Sequence, residues 1–389
     1  MTTMRTQSVD VCPICSGSGP VIYENVRDRV FQVDGTWNIR RCTACGSLWL
    51  DPRPVDAELH RAYSRYFTHD DGGSEGEGKT PRDGSRPPSG WWSPSRPGPT
   101  DRLPVPRGCI RSTMSSTMSR FVRIVRDVAT DDYLARHFGY SRPTAWWSRG
   151  VSPLVEWWPG RRLDAEFKVM RLPAVQGGRL LDIGCGDGGA ILHLQKRGWS
   201  VHGIDFDPGA VEAARRRGIA VDLGDVAERS YPGASFDVVT LNHALEHLVD
   251  VRKTLREVLR ILRPGGQILI VTPNAASWLS RRYGSDWQGL EPPRHLQIFT
   301  PRALCQLVSD AGFSKVTAET TARSANGVAR AAWKFRKDGH WDMQSRPSLS
   351  ERIRMELVQQ WEVWMVARNP DAGEELVVVA VKDHKESGT

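Results

Sequence analysis

The sequence predicts an α/β protein built around a largely parallel sheet, with a small cysteine-bearing module ahead of it. Three observations predict this. From Arg179 onward, short apolar runs alternate with amphipathic segments of helical period, the pattern of strands and crossover helices. The first of those runs ends in a glycine-rich turn, LLDIGCGDGG, at 180–189. Upstream, two Cys-x-x-Cys pairs lie within residues 10–67.

Seven segments read as strands: RLLDIGC (179–185), SVHGIDF (200–206), IAVDLG (219–224), FDVVTLN (236–242), QILIVTP (267–273), FSKVTAET (313–320) and ELVVVAVK (375–382). Between most of them lie helical stretches: GAILHLQKRG, PGAVEAARRRG, VRKTLREVLRILRPGG and TPRALCQLVSDAG. In the last, Thr300 reads as the N-cap, Pro301 as the first helical residue and Gly312 as the stop. The interval 321–374 is too long for a hairpin loop. It carries ERIRMELVQQWEVWMVARN, which predicts a helical insertion before the final strand. The α/β domain is thus expected over 177–383. Ahead of it, Phe121, Val122, Ile124, Val125 and Val128 stand at helical spacing in a connector, 109–176. Residues 68–108 hold almost no aliphatic side chains and are expected to be a disordered, low-complexity insert.

Composition bounds the function classes. The chain has 389 residues, of which 39% are hydrophobic and 25% charged, enough to bury a core. No run of 18 apolar residues exists, so no spanning helix is expected, and MTTMRTQSVD lacks the apolar core of a signal peptide. A cytoplasmic protein is therefore expected, its seven cysteines being thiols or metal ligands. The net charge of +8 divides as −2 over 1–80, +7 over 81–170 and +3 over 171–389. The excess is local to the middle of the chain, which argues against nucleic acid as the partner of the α/β domain.

In the glycine loop, an apolar strand ends in Asp182, and Gly184, Gly186 and Gly188 let the backbone approach a ligand. A dinucleotide site is one reading of such a loop. Asp182 and Asp187 around it would repel a pyrophosphate and would favour a ligand with positive charge. S-adenosylmethionine, with a sulfonium and an ammonium group, has that character. Asp205, 23 residues after Asp182, ends the second strand, where a carboxylate can accept both ribose hydroxyls. Asp225 follows the third strand, placed to accept from an adenine amino group with Val226 packing on the ring. Acids at successive strand ends make one crevice at the carboxyl edge of the sheet.

Together, LDIGCGDG, GIDFDP, LGDV, FDVVTLNHALEHL, ILRPGGQILIVTPN and TPRALCQLVSDAGF resemble the class I S-adenosylmethionine-dependent methyltransferases, from about Arg179 to Phe313 and again at the last strand. The resemblance implies a seven-stranded Rossmann-like sheet of order 3-2-1-4-5-7-6 with helices on both faces and an antiparallel seventh strand. It also implies that Asp182, Gly184, Gly186, Asp205, Asp225, Val226 and Asn242 surround the cofactor. A Rossmann-like domain for another nucleotide, and a non-catalytic member that keeps the fold, are the alternatives. Residues 243–247, HALEH, literally match an inverted zinc-protease motif, which needs a helix. Here they follow a buried strand. A turn with Glu246 and His247 hydrogen-bonded near the cofactor is expected, with a direct role for His243 or Glu246 as the other reading.

Cys12, Cys15, Cys42 and Cys45 form two pairs with 26 residues between them, the spacing of a structural zinc ribbon. Such a ribbon before this α/β pattern resembles methyltransferases of bacterial polysaccharide and natural-product biosynthesis, sugar methyltransferases among them. A small-molecule or glycan acceptor is the implied substrate, and an RNA methyltransferase is the rival. The loop TPNAASWLSRRYGSDWQGLEPPRHLQIFTP follows the fifth strand and should lie over the transferred methyl. His295, with Glu291 nearby, is the candidate general base. The alternative is that His295 and Arg294 anchor the loop. Trp278, Tyr283 and Trp287 suit either stacking on an acceptor or a core. Residues 142–162 pair Trp146, Trp147, Trp157 and Trp158 with arginines. A core contact, a peripheral membrane contact, nucleic-acid stacking and a carbohydrate platform are the readings there. Nothing in the sequence sets an oligomeric state.

Overall fold

The computed structural model describes residues 4–63, 110–142 and 150–384. The chain divides into two compact units, 1–78 with 175–389, and 79–174.

The first unit is organised by seven strands: β1 (Arg179–Ile183), β2 (Ser200–Asp205), β3 (Ala220–Leu223), β4 (Phe236–Asn242), β5 (Leu262–Pro273), β6 (Ser314–Thr321) and β7 (Glu375–Val381). Their order across the sheet is β3-β2-β1-β4-β5-β7-β6. Strands β1 to β5 pair in parallel, and β7 runs antiparallel to both β5 and β6. This is the order and the reversed strand that the resemblance implied. The central strands are buried on both faces, which is why LLDI, FDVVTLN and ILIV read as nearly continuous apolar runs. Strand β5 starts earlier than the apolar run predicts. Leu262 already pairs with Phe236, and the register shifts before Gln267 as Arg-Pro-Gly-Gly makes an irregular step.

The helices are α1 (Gly189–Gln195), α2 (Pro208–Arg216), α3 (Val251–Ile261), α4 (Trp278–Tyr283), α5 (Pro301–Asp310), α6 (Ala325–Asp338) and α7 (Leu349–Arg368). Their starts follow from side-chain caps. Asp207 accepts from the Gly209 amide, Asp250 from Lys253 and Thr300 from Ala303, while Ser348 and Glu351 form a reciprocal capping box. Helices α6 and α7 fill the interval between β6 and β7.

The N-terminal segment does not stand apart. Val21–Val26, Trp37–Arg41 and Leu48–Leu50 form an antiparallel sheet whose fourth strand is Gln297–Ile298, from the loop after β5. Val26, Trp37, Ile39, Leu48 and Leu50 share a core with Leu279, Trp287 and Leu290. Trp287 and Tyr283 are buried in that core, and Trp278 packs against it, so these aromatics are structural. A 3-10 helix, Asp56–Tyr63, ends the segment.

In the second unit, the long helix Ile110–Phe138 is followed by the short helices Pro153–Glu156 and Pro159–Phe167. Asp132 accepts from the amides of Gly150 and Ser152, and Tyr140 donates to the Leu172 carbonyl. Trp157 and Trp158 are exposed. The core reading of residues 142–162 therefore does not hold for this pair. Trp146, Trp147 and the proposed insert at 68–108 lie outside the described residues. No helix among the described residues is long and apolar enough to cross a membrane.

Candidate active site

The carboxyl ends of β1, β2 and β4 meet around the glycine loop. Gly184 takes a left-handed φ of 71°, and a Cβ there would stand 2.6 Å from the Ala244 Cβ, so the loop can cross the β4 turn only as glycine. The next loop glycine, Gly186, donates its amide to Asp205 Oδ2 at 2.8 Å. Asp205 Oδ1 accepts from the Asp207 amide at 2.9 Å. Burial pushes the Asp205 carboxyl above its ordinary value, and the two amides oppose that push.

Asp182 is 1% exposed and takes a 2.6 Å hydrogen bond from the Thr240 hydroxyl. Burial raises it to about 7, partly offset by Thr240, with Asp205 adding repulsion. It therefore sits behind the loop, inside the sheet. Asn242, at the end of β4, has a buried Oδ1 that accepts no hydrogen bond, so its acceptor is free for a ligand donor. Asp225 is exposed and receives the Ala227 amide at 2.8 Å, whereas Val226 turns inward and is buried.

A second cluster gathers around the turn after β4. Glu246, fully buried, accepts from the Thr272 hydroxyl at 3.0 Å. Burial opposes its charge, but His243 beside it brings it down to about 2. His243 lies between two carboxylates, with Nδ1 at 3.3 Å from Glu246 Oε1 and Nε2 at 3.1 Å from Glu375 Oε1. Desolvation opposes its protonation, and the two acids outweigh it, raising it to about 10. His247 goes the other way, down to about 4, because burial and His295 disfavour its charge. Its ring meets that of His295 edge-on at 4.7 Å.

His295 is buried, with Nδ1 2.8 Å from the Gly289 carbonyl. Its Nε2 is 4.0 Å from both Glu246 Oε1 and Glu291 Oε2. Next to it, Arg294 is fully buried and joins Glu291 and Asp28 at 2.9 Å each, with its guanidinium over the Phe31 ring. Thus Arg294 anchors the loop to the N-terminal segment, while His295 points its ring at the β4 turn.

Two residues that the motifs did not flag complete the cluster. The Tyr63 hydroxyl lies 3.0 Å from His247 Nδ1, and its ring meets Phe206 edge-on at 4.9 Å. Phe206, directly after Asp205, is half-exposed. Its aromatic character in GIDF was the available signal. Tyr63 had none, because only the fold brings the end of the N-terminal segment here.

The four paired cysteines also converge. Cys12 and Cys45 sulfurs are 3.8 Å apart, Cys15 and Cys42 sulfurs 3.4 Å apart, and all four lie within 4.8 Å of one another. Each pair sits in the same kind of turn, closed by Ser16 N to Cys12 O and by Gly46 N to Cys42 O.

A family described as "Methyltransferase domain" matches residues 158–318. The 3-2-1-4-5-7-6 sheet that these residues largely build is the Rossmann-like methyltransferase fold. The chain is 35% identical over 127 residues to malonyl-[acyl-carrier protein] O-methyltransferase of Serratia marcescens, covering 32% of this chain and 49% of that one. It is 32% identical over 161 residues to ajmaline N-methyltransferase of Rauvolfia serpentina, covering 38% and 55%. The chain spans about half the length of these curated relatives. A solved S-adenosylmethionine-dependent methyltransferase from Thermotoga maritima aligns over 60% of this chain and 96% of its own, with 20% identity and a TM-score of 0.39.

Proposed function

We propose that the protein transfers a methyl group from S-adenosylmethionine to a small-molecule acceptor, a sugar or glycan in the finer reading. The observation that carries the proposal is the tie from Gly186 to Asp205 at the carboxyl edge of β1 and β2. It leaves lone pairs on both Asp205 oxygens for vicinal ribose hydroxyls. Gly184 and Gly186 admit the cofactor backbone-first, Asn242 Oδ1 accepts from it, and exposed Asp225 accepts from the adenine amino group. Asp182 acts from behind, held beneath the loop by the Thr240 hydroxyl.

When bound, the cofactor supplies a methyl already activated on its sulfonium, so positioning supplies much of the acceleration. The chain's own task is the acceptor proton. With Nδ1 of His295 committed to the Gly289 carbonyl, Nε2 is the basic atom, and Glu246 and Glu291 stabilise the imidazolium that forms. The four cysteines fit a structural zinc. Tetrahedral thiolates at about 2.3 Å from the metal stand about 3.8 Å from one another, close to the observed sulfur separations. The ribbon so formed favours the sugar reading, through the resemblance it carries.

Calorimetry with S-adenosylmethionine tests the cofactor, and absence of heat at saturating concentration would refute the proposal. Methyl release against nucleotide sugars and glycolipids tests the acceptor class. Turnover confined to non-sugar acceptors would remove the finer reading and keep the coarser one.

A further inference from the structure

Helix α7 packs Val358 and Val363 on the core yet leaves most of its large apolar side chains outside. A helix lying on a protein in water buries its apolar side and exposes its polar one. In α7 the two fully buried side chains are polar, Gln359 and Glu362. Gln359 donates to the carbonyls of Ala322 and Arg323, and Glu362 accepts from the Glu374 amide. The outward face carries Leu349, Ile353, Leu357, Trp361 and Trp364, all exposed, with Leu357 at 63% and Trp361 at 47%. Their spacing keeps them on one side of the helix, in a stripe about 22 Å long. Trp361 stacks on Trp364 at 4.8 Å and touches Trp278 at 6.4 Å, which extends the apolar patch onto α4.

The charges around this stripe are predominantly positive. Arg352, Arg354 and Arg368 are exposed, and the Arg368 guanidinium lies 3.6 Å above the Trp364 ring. Arg281, one turn from Trp278 on α4, is also exposed. The three glutamates of α7 are engaged elsewhere. Glu351 holds Lys334 at 3.2 Å and the helix cap, Glu356 holds Gln360 at 2.8 Å, and Glu362 is buried. A second copy meeting this face would bring the same four arginines against a single unneutralised carboxylate of α7, Glu356. Phosphate headgroups above an apolar layer match both features, since tryptophan and arginine settle at that boundary.

We propose that the outer face of α7 docks the protein on an anionic lipid surface. The inference uses none of the residues assigned to methyl transfer, so it stands whichever acceptor is methylated. The full chain is expected to cosediment with vesicles of equal parts phosphatidylcholine and phosphatidylglycerol, and far less with phosphatidylcholine alone or at high salt. Leu357→Glu with Trp361→Glu is expected to abolish cosedimentation while leaving the thermal midpoint and S-adenosylmethionine binding unchanged. Should that variant unfold, Arg354→Gln with Arg368→Gln serves instead and should weaken binding about fivefold for each arginine removed. The proposal is overturned if the wild type stays in the supernatant, or if a folded glutamate variant cosediments as well as wild type. It is also overturned if light scattering finds a wild-type dimer that the same variant splits, because a second copy would then cover the stripe.

Discussion

The Gly186 amide donates to Asp205 Oδ2 at 2.8 Å, which fastens the loop after β1 to the acid that ends β2. The Asp207 amide holds the other oxygen. Asp205 is thus fixed before any ligand arrives, in the orientation the proposed ribose contacts need. Hydrogen bonds to a charged group contribute about 1.5–3 kcal/mol each. Asp205→Ala is therefore expected to weaken S-adenosylmethionine binding by about 30-fold or more, measured by calorimetry on folded protein. Wild-type affinity in that variant would remove Asp205 from the cofactor site.

Gly184→Ala isolates the steric demand of the loop. The new Cβ meets the Ala244 Cβ at 2.6 Å in a backbone with φ of 71°. Crowding of this kind costs about 1–3 kcal/mol, beyond about 1 kcal/mol for the left-handed conformation. Gly218→Ala provides the comparison, with φ of 81° and nothing within 4 Å of the added methyl. Denaturant midpoints should fall more for Gly184→Ala than for Gly218→Ala. Ala244→Gly added to the former should recover part of the loss. Equal effects at the two glycines would show that the loop has room to spare at Ala244.

The same contrast between local and distant constraint separates what was legible in the sequence from what was not. Strand β4 was readable to the residue, Phe236–Asn242, because a strand buried on both faces is written mostly in apolar and β-branched residues. The cap at Thr300 was readable because capping chemistry is local. The strand Gln297–Ile298 was not, because two residues carry no period, and its partner Leu48–Leu50 lies more than 240 positions away. Missing that pairing made the cysteine segment look like a separate module. It also hid Tyr63, which the shared sheet brings to His247. For the site, residue types at strand ends pointed to Asp205 and Asn242. Which way a side chain turns was beyond sequence, as inward-facing Val226 and the interior bond of Asp182 to Thr240 show.

The pair of acids around His243 makes a prediction about pH. Burial opposes its charge, but Glu246 and Glu375 raise its pKa to about 10 in the fold, against about 6.5 for a free histidine. A histidine raised on folding adds stability that is full below the unfolded value and is lost as pH climbs to the folded one. Denaturant midpoints should therefore decline between pH 6.5 and pH 10. His243→Gln should be less stable than wild type at pH 6.5 and should show a flatter profile through that window. The side chain is 38% exposed, so solvent screening makes the slope shallower than the pKa difference alone would give. Parallel profiles for the two proteins would mean that Glu246 and Glu375 do not hold a charged imidazole.

The proposed zinc predicts cooperative loss of more than the ribbon. Trp49 lies in the same hydrophobic cluster as Leu241 and Ile270 of the large sheet. Leu48–Leu50 pairs with Gln297–Ile298, and Asp28 is bound to the buried Arg294 that precedes His295. Atomic emission should find one zinc per chain, and none in Cys42→Ser with Cys45→Ser. Because metal binding is coupled to folding of such small modules, removal should release these contacts together. Chelation should then lower the thermal midpoint of the methyltransferase unit as one transition. Since Tyr63 reaches both His247 and Phe206, the neighbour of Asp205, partial chelation should reduce methyl transfer and S-adenosylmethionine binding together. A ribbon that melts alone, with turnover intact, would show that the cysteine segment is attached to the catalytic unit without supporting its acceptor side.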